Sequence, residues 1–138
     1  MLQGKRILFI NGDEPLYDGV TETLTGAGAS VAETRTAEDA LGLLEQESFD
    51  LLVVNLNLPA MGAYELCREL EGSSRHAQMP IVPASVNPFI NSINITICPN
   101  VVDFLRKPFT CEQLVGVLTR VFSGKPAFAG RLGHRPDE

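Results

Sequence analysis

The sequence predicts an α/β domain built on a doubly wound parallel sheet. Two short apolar runs, Ile7–Ile10 and Leu51–Val54, are too short for helices and suit strands that are buried on both faces. Leu16, Val20 and Leu24 follow the first run at the four-residue spacing of a buried helix face. Strand and helix patterns alternate five times along the chain, and this alternation favours the α/β class.

Cap and turn signals place the other elements. Thr36 and Asp39 have the spacing of a capping box, and Thr110 and Gln113 repeat it before the last helix. Pro83 lies inside the fourth strand, although proline cannot donate a ladder hydrogen bond. The predicted order is a strand at 5–10, a helix at 15–24 ended by Gly26 to Gly28, an edge strand at 30–34, a helix after Thr36, a strand at 51–54, a helix at about 63–70, strands at 79–85 and 101–105, and a helix after Thr110.

Residues 87–100 have two competing patterns. Ile93, Ile95 and Ile97 alternate as in a strand, whereas Phe89, Ile93 and Ile97 recur every four residues as in a helix. A short or irregular helix is favoured because Asn100 can take the left-handed conformation that ends one. The apolar residues of this segment form either a rearranged part of the core or a hydrophobic binding patch.

Length and composition indicate one globular domain. The chain has 138 residues, of which 44% are apolar and 20% are charged. We predict that the domain spans residues 1–122. Glycine, proline and charged residues replace the periodic pattern in residues 123–138, which we expect to form a flexible tail or part of a linker.

Charge and residue usage argue against several classes of partner. The 11 basic and 17 acidic residues give a net charge of −6 without a basic cluster, so direct nucleic-acid binding is not expected. The chain has no apolar run of spanning length and no basic-then-apolar leader, so we expect a cytoplasmic protein with no membrane partner. We expect the cysteines to be buried thiols. Cysteine and histidine side chains lack the spacing of metal ligands: Cys67, Cys98, Cys111, His76 and His134.

Four segments, in order, resemble the receiver domains of two-component response regulators. They are Arg6–Ile10, Asp50–Gly62, Pro80–Val82 and Asp103–Phe109, and the resemblance covers about residues 5–122. The resemblance implies a flavodoxin-like, doubly wound (βα)5 three-layer sandwich whose five-stranded parallel sheet has the order 2-1-3-4-5.

The resemblance also implies roles for residues at the ends of the strands. In the family, an aspartate after the third strand accepts a phosphoryl group from a kinase phosphohistidine, and acidic residues after the first strand help to hold Mg²⁺. The matching positions are Asn55 for the phosphoacceptor, Asn11 and Gly12 for the acid pair, the Asn57 carbonyl for a metal ligand, Ser85 and Lys107 for phosphoryl contacts, and Phe104 for an aromatic side chain that changes rotamer. Lys107-Pro108 is expected to be a cis bond, as in relatives.

Most of that chemistry is missing from this sequence. Formation of an aspartyl phosphate needs a carboxylate nucleophile, and the amide of Asn55 is not one at neutral pH. A Mg²⁺ site needs at least one or two carboxylates, and Asn11 and Gly12 supply none, although a one-residue shift that brought in Asp13 would give a weak site. We therefore predict a degenerate receiver with no cofactor and no enzymatic activity, whose pocket is held by neutral hydrogen bonds among Asn55, Asn11 and Ser85.

The leading functional hypothesis is a phosphorylation-independent signalling module that binds a protein partner, or a second copy of itself, through the fourth predicted helix, the fifth strand and the fifth predicted helix. The alternative within the family is modulation by a small anion or metabolite near Ser85 and Lys107. A small α/β enzyme has little support, because the sequence contains no glycine-rich phosphate loop and no nucleophile–base pair. A flavodoxin-like cofactor binder rests on the fold alone.

Overall fold

The computed structural model describes residues 2–11, 19–55, 66, 68–70, 72, 76–85, 100–103 and 105–124. Within these ranges, five parallel strands form one sheet of order β2-β1-β3-β4-β5. The strands are β1 (Arg6–Ile10), β2 (Ser30–Thr34), β3 (Leu51–Asn55), β4 (Ile81–Ser85) and β5 (Leu105–Arg106), and the helices are α1 (Val20–Gly26), α2 (Ala37–Gln46) and α3 (Cys111–Phe122). The fold class and the strand order predicted from the sequence are confirmed.

The sheet separates two apolar cores, because successive side chains of a strand point to opposite faces. On one face, Leu8 and Ile10 of β1 pack in a cluster that includes Leu44 of α2. On the other face, Ile7 and Phe9 belong to a cluster with the apolar residues of α1 and α3. All residues of β3 are buried, so this strand lies at the centre of the domain. The predicted three-layer arrangement is confirmed.

Thr36 and Thr110 cap α2 and α3 as the sequence predicts, and the reciprocal contact of a capping box is present at α3. The Thr36 hydroxyl oxygen accepts the backbone N–H of Asp39 at 3.0 Å. At α3, Thr110 Oγ1 accepts the N–H of Gln113 at 3.0 Å, and Gln113 Oε1 accepts the N–H of Thr110 at 2.8 Å. These contacts satisfy backbone donors that a helix start otherwise leaves without partners. The Lys107-Pro108 peptide bond is cis, as expected.

The fifth strand differs from its prediction. The sequence pattern predicts a strand over residues 101–105, but the structure has β5 at Leu105–Arg106. Val101 contributes an isolated bridge to Ile81 of β4 instead. The chain therefore runs beside β4 from residue 101 but pairs with it at two separate places.

Pro83 explains the interruption. Ile81 donates its N–H to the Asn100 carbonyl at 2.8 Å and accepts the Val102 N–H at 3.2 Å, so its backbone groups point towards β5. Alternate residues of a strand point the same way, and Pro83 therefore faces β5 at a position where it has no N–H to donate. Regular pairing resumes only where Ala84 lies opposite Leu105.

Several other predictions have partial outcomes. Leu66 and residues 68–70 are helical, within the helix predicted at 63–70. The predicted α1 residues 15–18, the segment 87–99, the tail from residue 125, and Cys67, Cys98 and His134 lie outside the described residues. Cys111 is a free, half-buried thiol and not a buried one, because it begins α3 at the surface.

Among the described helices, none has both the length and the apolarity needed to cross a membrane.

Two buried polar side chains hold the connection that leads into β4. His76 is 2% exposed, and its Nε2 atom accepts the backbone N–H of Phe49 at 3.3 Å. Asn100 donates its amide nitrogen to the carbonyls of Ala77 and Met79 at 2.9 and 2.8 Å. Asn100 thus fastens a loop, whereas the helix that it was predicted to end would lie outside the described residues.

An ion pair between a buried carboxylate and a partly exposed arginine joins the segment before β5 to α3. Asp103 is only 1% exposed, and its two carboxylate oxygens accept hydrogen bonds from Arg120 Nε at 3.0 Å and from Nη2 at 2.9 Å. The hydrogen bond to Asp103 raises the pKa of Arg120 above its usual range, so the guanidinium keeps its charge up to strong alkali. Loss of the arginine would leave a buried carboxylate without this partner.

We predict that Arg120→Ala lowers the free energy of unfolding by about 2 kcal/mol, because Asp103 remains buried without its bidentate partner. Arg106→Ala is the matched control, since Arg106 is an exposed arginine on the neighbouring strand. It should change the free energy of unfolding by less than about 0.5 kcal/mol. Urea denaturation followed by circular dichroism measures both changes, and equal values for the two variants would contradict the assignment.

Candidate functional site

The candidate site lies at the edge of the sheet where the parallel strands have their carboxyl ends. Asn55 is the last residue of β3 and is 6% exposed. Asn11 directly follows β1, and Lys107 directly follows β5. The edge of a parallel sheet at which the strands end is where ligands of open α/β folds bind. The structure therefore brings together three of the positions singled out in the sequence.

Asn55 is at the centre of this group because both ends of its amide are used. Lys107 Nζ donates a hydrogen bond to Asn55 Oδ1 at 2.8 Å. Asn55 Nδ2 donates to the backbone carbonyl of Asn11 at 2.9 Å. An amide has a distinct donor and a distinct acceptor, so these two partners determine how the side chain is oriented.

The chain of contacts continues to a residue that the sequence does not reveal. Asn11 Nδ2 donates to the carboxylate of Glu33, which lies on the edge strand β2. The backbone N–H of Asn11 also bonds the Thr34 carbonyl at 3.0 Å, so the residue is held to β2 through both its backbone and its side chain. One line of polar contacts thus links the ends of β5, β3 and β1 to the edge strand β2. We call it the polar chain, and its members are Lys107, Asn55, Asn11 and Glu33.

Glu33 was missed because its neighbour depends on strand register. In the sequence it is one of several polar residues in a weak strand. In the sheet it lies opposite Phe9, one position before the Ile10–Thr34 pair, and this register brings it to the residue that follows β1. A pairing shifted by one residue would turn its side chain to the other face.

The polar chain has a cation at one end and an anion at the other, with two neutral amides between them. Lys107 is half-buried and Glu33 is exposed. Within the described parts of the chain, no group of three His, Cys, Asp or Glu side chains could hold a metal ion. The described donors at this edge are mainly amide oxygens, and one of them, Asn55 Oδ1, already accepts from Lys107. This donor set does not fit the carboxylate-rich Mg²⁺ site that the resemblance implies.

The remaining predicted site residues are not described. They are Gly12, Asp13, Asn57 and Phe104, together with the side chain of Ser85, which is the last residue of β4. The alternative in which Asp13 enters the pocket, the contact between Asn55 and Ser85 and the rotamer of Phe104 thus lie outside the described residues.

A groove between β5 and α3 forms a second candidate surface, on the face predicted to bind a partner. Its volume is about 350 Å³. Apolar atoms of Val117 lie near two arginines, Arg106 and Arg120, the second of which also binds Asp103. The residues that line this β5–α3 groove are Leu105, Arg106, Phe109, Gln113, Gly116, Val117 and Arg120.

Comparison with known proteins agrees with this geometry. The profile of the family described as the response regulator receiver domain matches residues 7–119. The chain belongs to the response regulator receiver domain family. The response regulator protein FleR of Pseudomonas aeruginosa is 24% identical over 115 residues, which are 83% of this chain and 24% of that protein. The response regulator MprA of Mycobacterium tuberculosis is 26% identical over 110 residues, which are 80% of this chain and 47% of that protein.

Two solved structures have the same fold. The chemotaxis response regulator CheY4 of Vibrio cholerae matches with a TM-score of 0.75 at 23% identity, over 85% of this chain and 98% of that one. A sensor protein from Polaromonas sp. JS666 matches with a TM-score of 0.75 at 26% identity, over 87% of this chain and 97% of that one. This receiver chain spans less than half the length of the two curated relatives described above.

We predict that Asn55→Ala lowers the free energy of unfolding by about 2 kcal/mol, because Lys107 loses its amide acceptor and the Asn11 carbonyl loses its donor in a nearly closed site. Asn11→Ala is the matched control, since it removes only the exposed contact to Glu33 and keeps the backbone carbonyl. Its cost should stay below about 1 kcal/mol. Chemical denaturation measures both, and an Asn11→Ala cost as large as that of Asn55→Ala would contradict the central position of Asn55.

Proposed function

We propose that this receiver is a signalling module that works without phosphorylation and without enzymatic activity, by binding another protein. The observation that carries the proposal is the burial and the hydrogen bonding of the Asn55 amide. It occupies the carboxyl end of the central strand, is nearly closed to solvent, and its amide bonds Lys107 and the Asn11 carbonyl. An aspartyl phosphate cannot form on this side chain, because the reaction needs a carboxylate oxygen as the nucleophile.

The polar chain supports a pocket with one conformation. In a site with clustered carboxylates, like charges repel one another until a cation offsets them, and this sensitivity to charge makes a switch possible. Here two neutral amides take that place, and each contact is a hydrogen bond with a defined donor and acceptor. We propose that no Mg²⁺ or other cofactor is required for the pocket to keep this arrangement.

The β5–α3 groove supports the choice of surface. It combines an apolar wall with exposed arginine, and interfaces between proteins are enriched in arginine and aromatic residues. We propose that the partner is a protein of the signalling pathway and that a second copy of the chain is the alternative occupant. The net charge of −6 argues against nucleic acid as a direct partner. We also propose a cytoplasmic location, where a free thiol such as Cys111 stays reduced.

The first test is a titration with Mg²⁺ and beryllofluoride, a phosphoryl mimic, followed by NMR of the backbone amides. For the wild-type chain we expect no shifts clustered at Asn55 and Lys107, because there is no carboxylate to receive the mimic. Asn55→Asp is the matched variant, and it should also fail to respond strongly, because the metal ligands are missing as well.

Two outcomes of the titration would contradict the proposal. Clustered shifts in the wild-type chain would favour the alternative in which an anion near Lys107 modulates the domain. Strong Mg²⁺-dependent modification of Asn55→Asp would show that a working metal site remains, supplied for example by Asp13.

The second test concerns the β5–α3 groove. We expect the immobilised chain to retain a partner from extracts of its own cells, and Arg106→Glu to reduce that retention several-fold by reversing a charge on the rim. Glu45→Lys is the control, since Glu45 is exposed on α2, on the opposite face of the sheet. Equal retention by Arg106→Glu and the wild type would contradict the assignment of the surface. Sedimentation of the purified chain tests the homodimer.

A further inference from the structure

Asn11 is followed by Gly12, and this dipeptide has a reactivity that the proposed function does not use. We propose that Asn11 is a self-modification site that converts from an amide to an acid in the folded protein, with water as the only co-reactant. The proposal goes beyond the signalling function and does not depend on it, because Asn55 is not converted.

The reaction balances without any oxidant or reductant. The backbone nitrogen of Gly12 loses its proton and attacks Cγ of Asn11, so that a new C–N bond closes a five-membered imide. The bond between Cγ and Nδ2 breaks, and the nitrogen leaves as ammonia after taking up the proton. Water then opens the imide at one of its two carbonyls, which leaves either aspartate or its isomer with the chain routed through the side-chain carbon.

Sequence and exposure single out Asn11 among the described asparagines. The residue that follows it is glycine, which has no Cβ to obstruct the attacking nitrogen. Asn11 is half-buried, so water can reach it, whereas Asn55 and Asn100 are 6% and 8% exposed and are followed by leucine and valine. The amide nitrogen of Asn100 is also held by two carbonyls at 2.9 and 2.8 Å inside the fold.

The contact that holds the Asn11 amide is a weak restraint. Its partner is the carboxylate of Glu33, which is exposed on the edge strand. Hydrogen bonds and ion contacts at such positions compete with water and contribute little to stability. The amide can therefore leave this contact to reach the geometry of attack, in contrast to the Asn55 amide between Lys107 and Asn11.

Conversion changes the electrostatics of the polar chain in one direction. The Asn11 side chain would lose the N–H that donates to Glu33 and gain a negative charge at the same place. Two carboxylates would then face each other on adjacent strands, where like charges repel. Asn55 would be the one residue between the new negative charge and Lys107 in the polar chain. The edge of the sheet would therefore become more acidic without any change at β3.

The experiment is a time course of the folded wild-type chain in mildly alkaline buffer, followed by tryptic digestion at mildly acidic pH and mass spectrometry. Cleavage after arginine gives one peptide of residues 7–35, whose only asparagine is Asn11, and one of residues 36–68, which contains Asn55 and Asn57. We expect the mass difference between an amide and an acid to accumulate in the first peptide and to be absent from, or far smaller in, the second. The rate should rise with pH, because the attacking nitrogen must lose its proton.

Gly12→Ala is the matched variant, and it should lose most of the mass gain in residues 7–35 because its Cβ hinders the attack. Conversion of this variant at the wild-type rate would overturn the proposal. Absence of any gain in the wild-type peptide, or an equal gain in both peptides, would also overturn it. Comparison of the two wild-type peptides keeps the test decisive if Gly12→Ala does not fold.

Discussion

Asn55 lies where the central strand ends, and its amide contacts the residues that follow the strands on either side of the site. One hydrogen bond reaches Lys107 after β5, and the other reaches the carbonyl of Asn11 after β1. A parallel sheet places these strand ends at one edge, and this geometry is why residues so distant in sequence meet. The polar edge of the domain is organised around this single side chain.

An amide at this place has a different effect from a carboxylate. A carboxylate beside an ammonium group forms a strong ion pair, but it also accepts a phosphoryl group and attracts cations. The Asn55 amide keeps the contact to Lys107 while it adds a donor for the Asn11 carbonyl, which a carboxylate could not supply. An asparagine at this position therefore connects the strands without offering a carboxylate nucleophile.

The contact between the β5 region and α3 depends on charged groups. Both oxygens of the buried Asp103 carboxylate accept hydrogen bonds from Arg120, at Nε and Nη2, so an ion pair ties α3 to the sheet beside the β5–α3 groove. The two places differ in their chemistry: single hydrogen bonds through two amide side chains organise the polar edge, and a bidentate ion pair holds the proposed interaction surface. A rigid surface favours binding because fewer groups must be ordered when a partner docks.

Much of the fold follows from the sequence. Short apolar runs determined β1 and β3, the spacing of Thr110 and Gln113 determined the start of α3, and four ordered segments identified the family. These signals are local, since each depends on residues within a few positions of one another. The positions of Asn11, Asn55 and Lys107 at one edge followed from the parallel topology.

Only the tertiary structure decided the contacts that depend on register. Glu33 joins the polar chain because β2 pairs with β1 in one particular alignment, and nothing within β2 itself encodes that neighbour. The delayed start of β5 likewise depends on which side of β4 the missing N–H of Pro83 faces. The sequence by itself thus determined the elements and the amide, in place of a carboxylate, at the end of β3. Pairing between distant strands decided which charge completes the site, because register is a property of two segments and cannot be read from one.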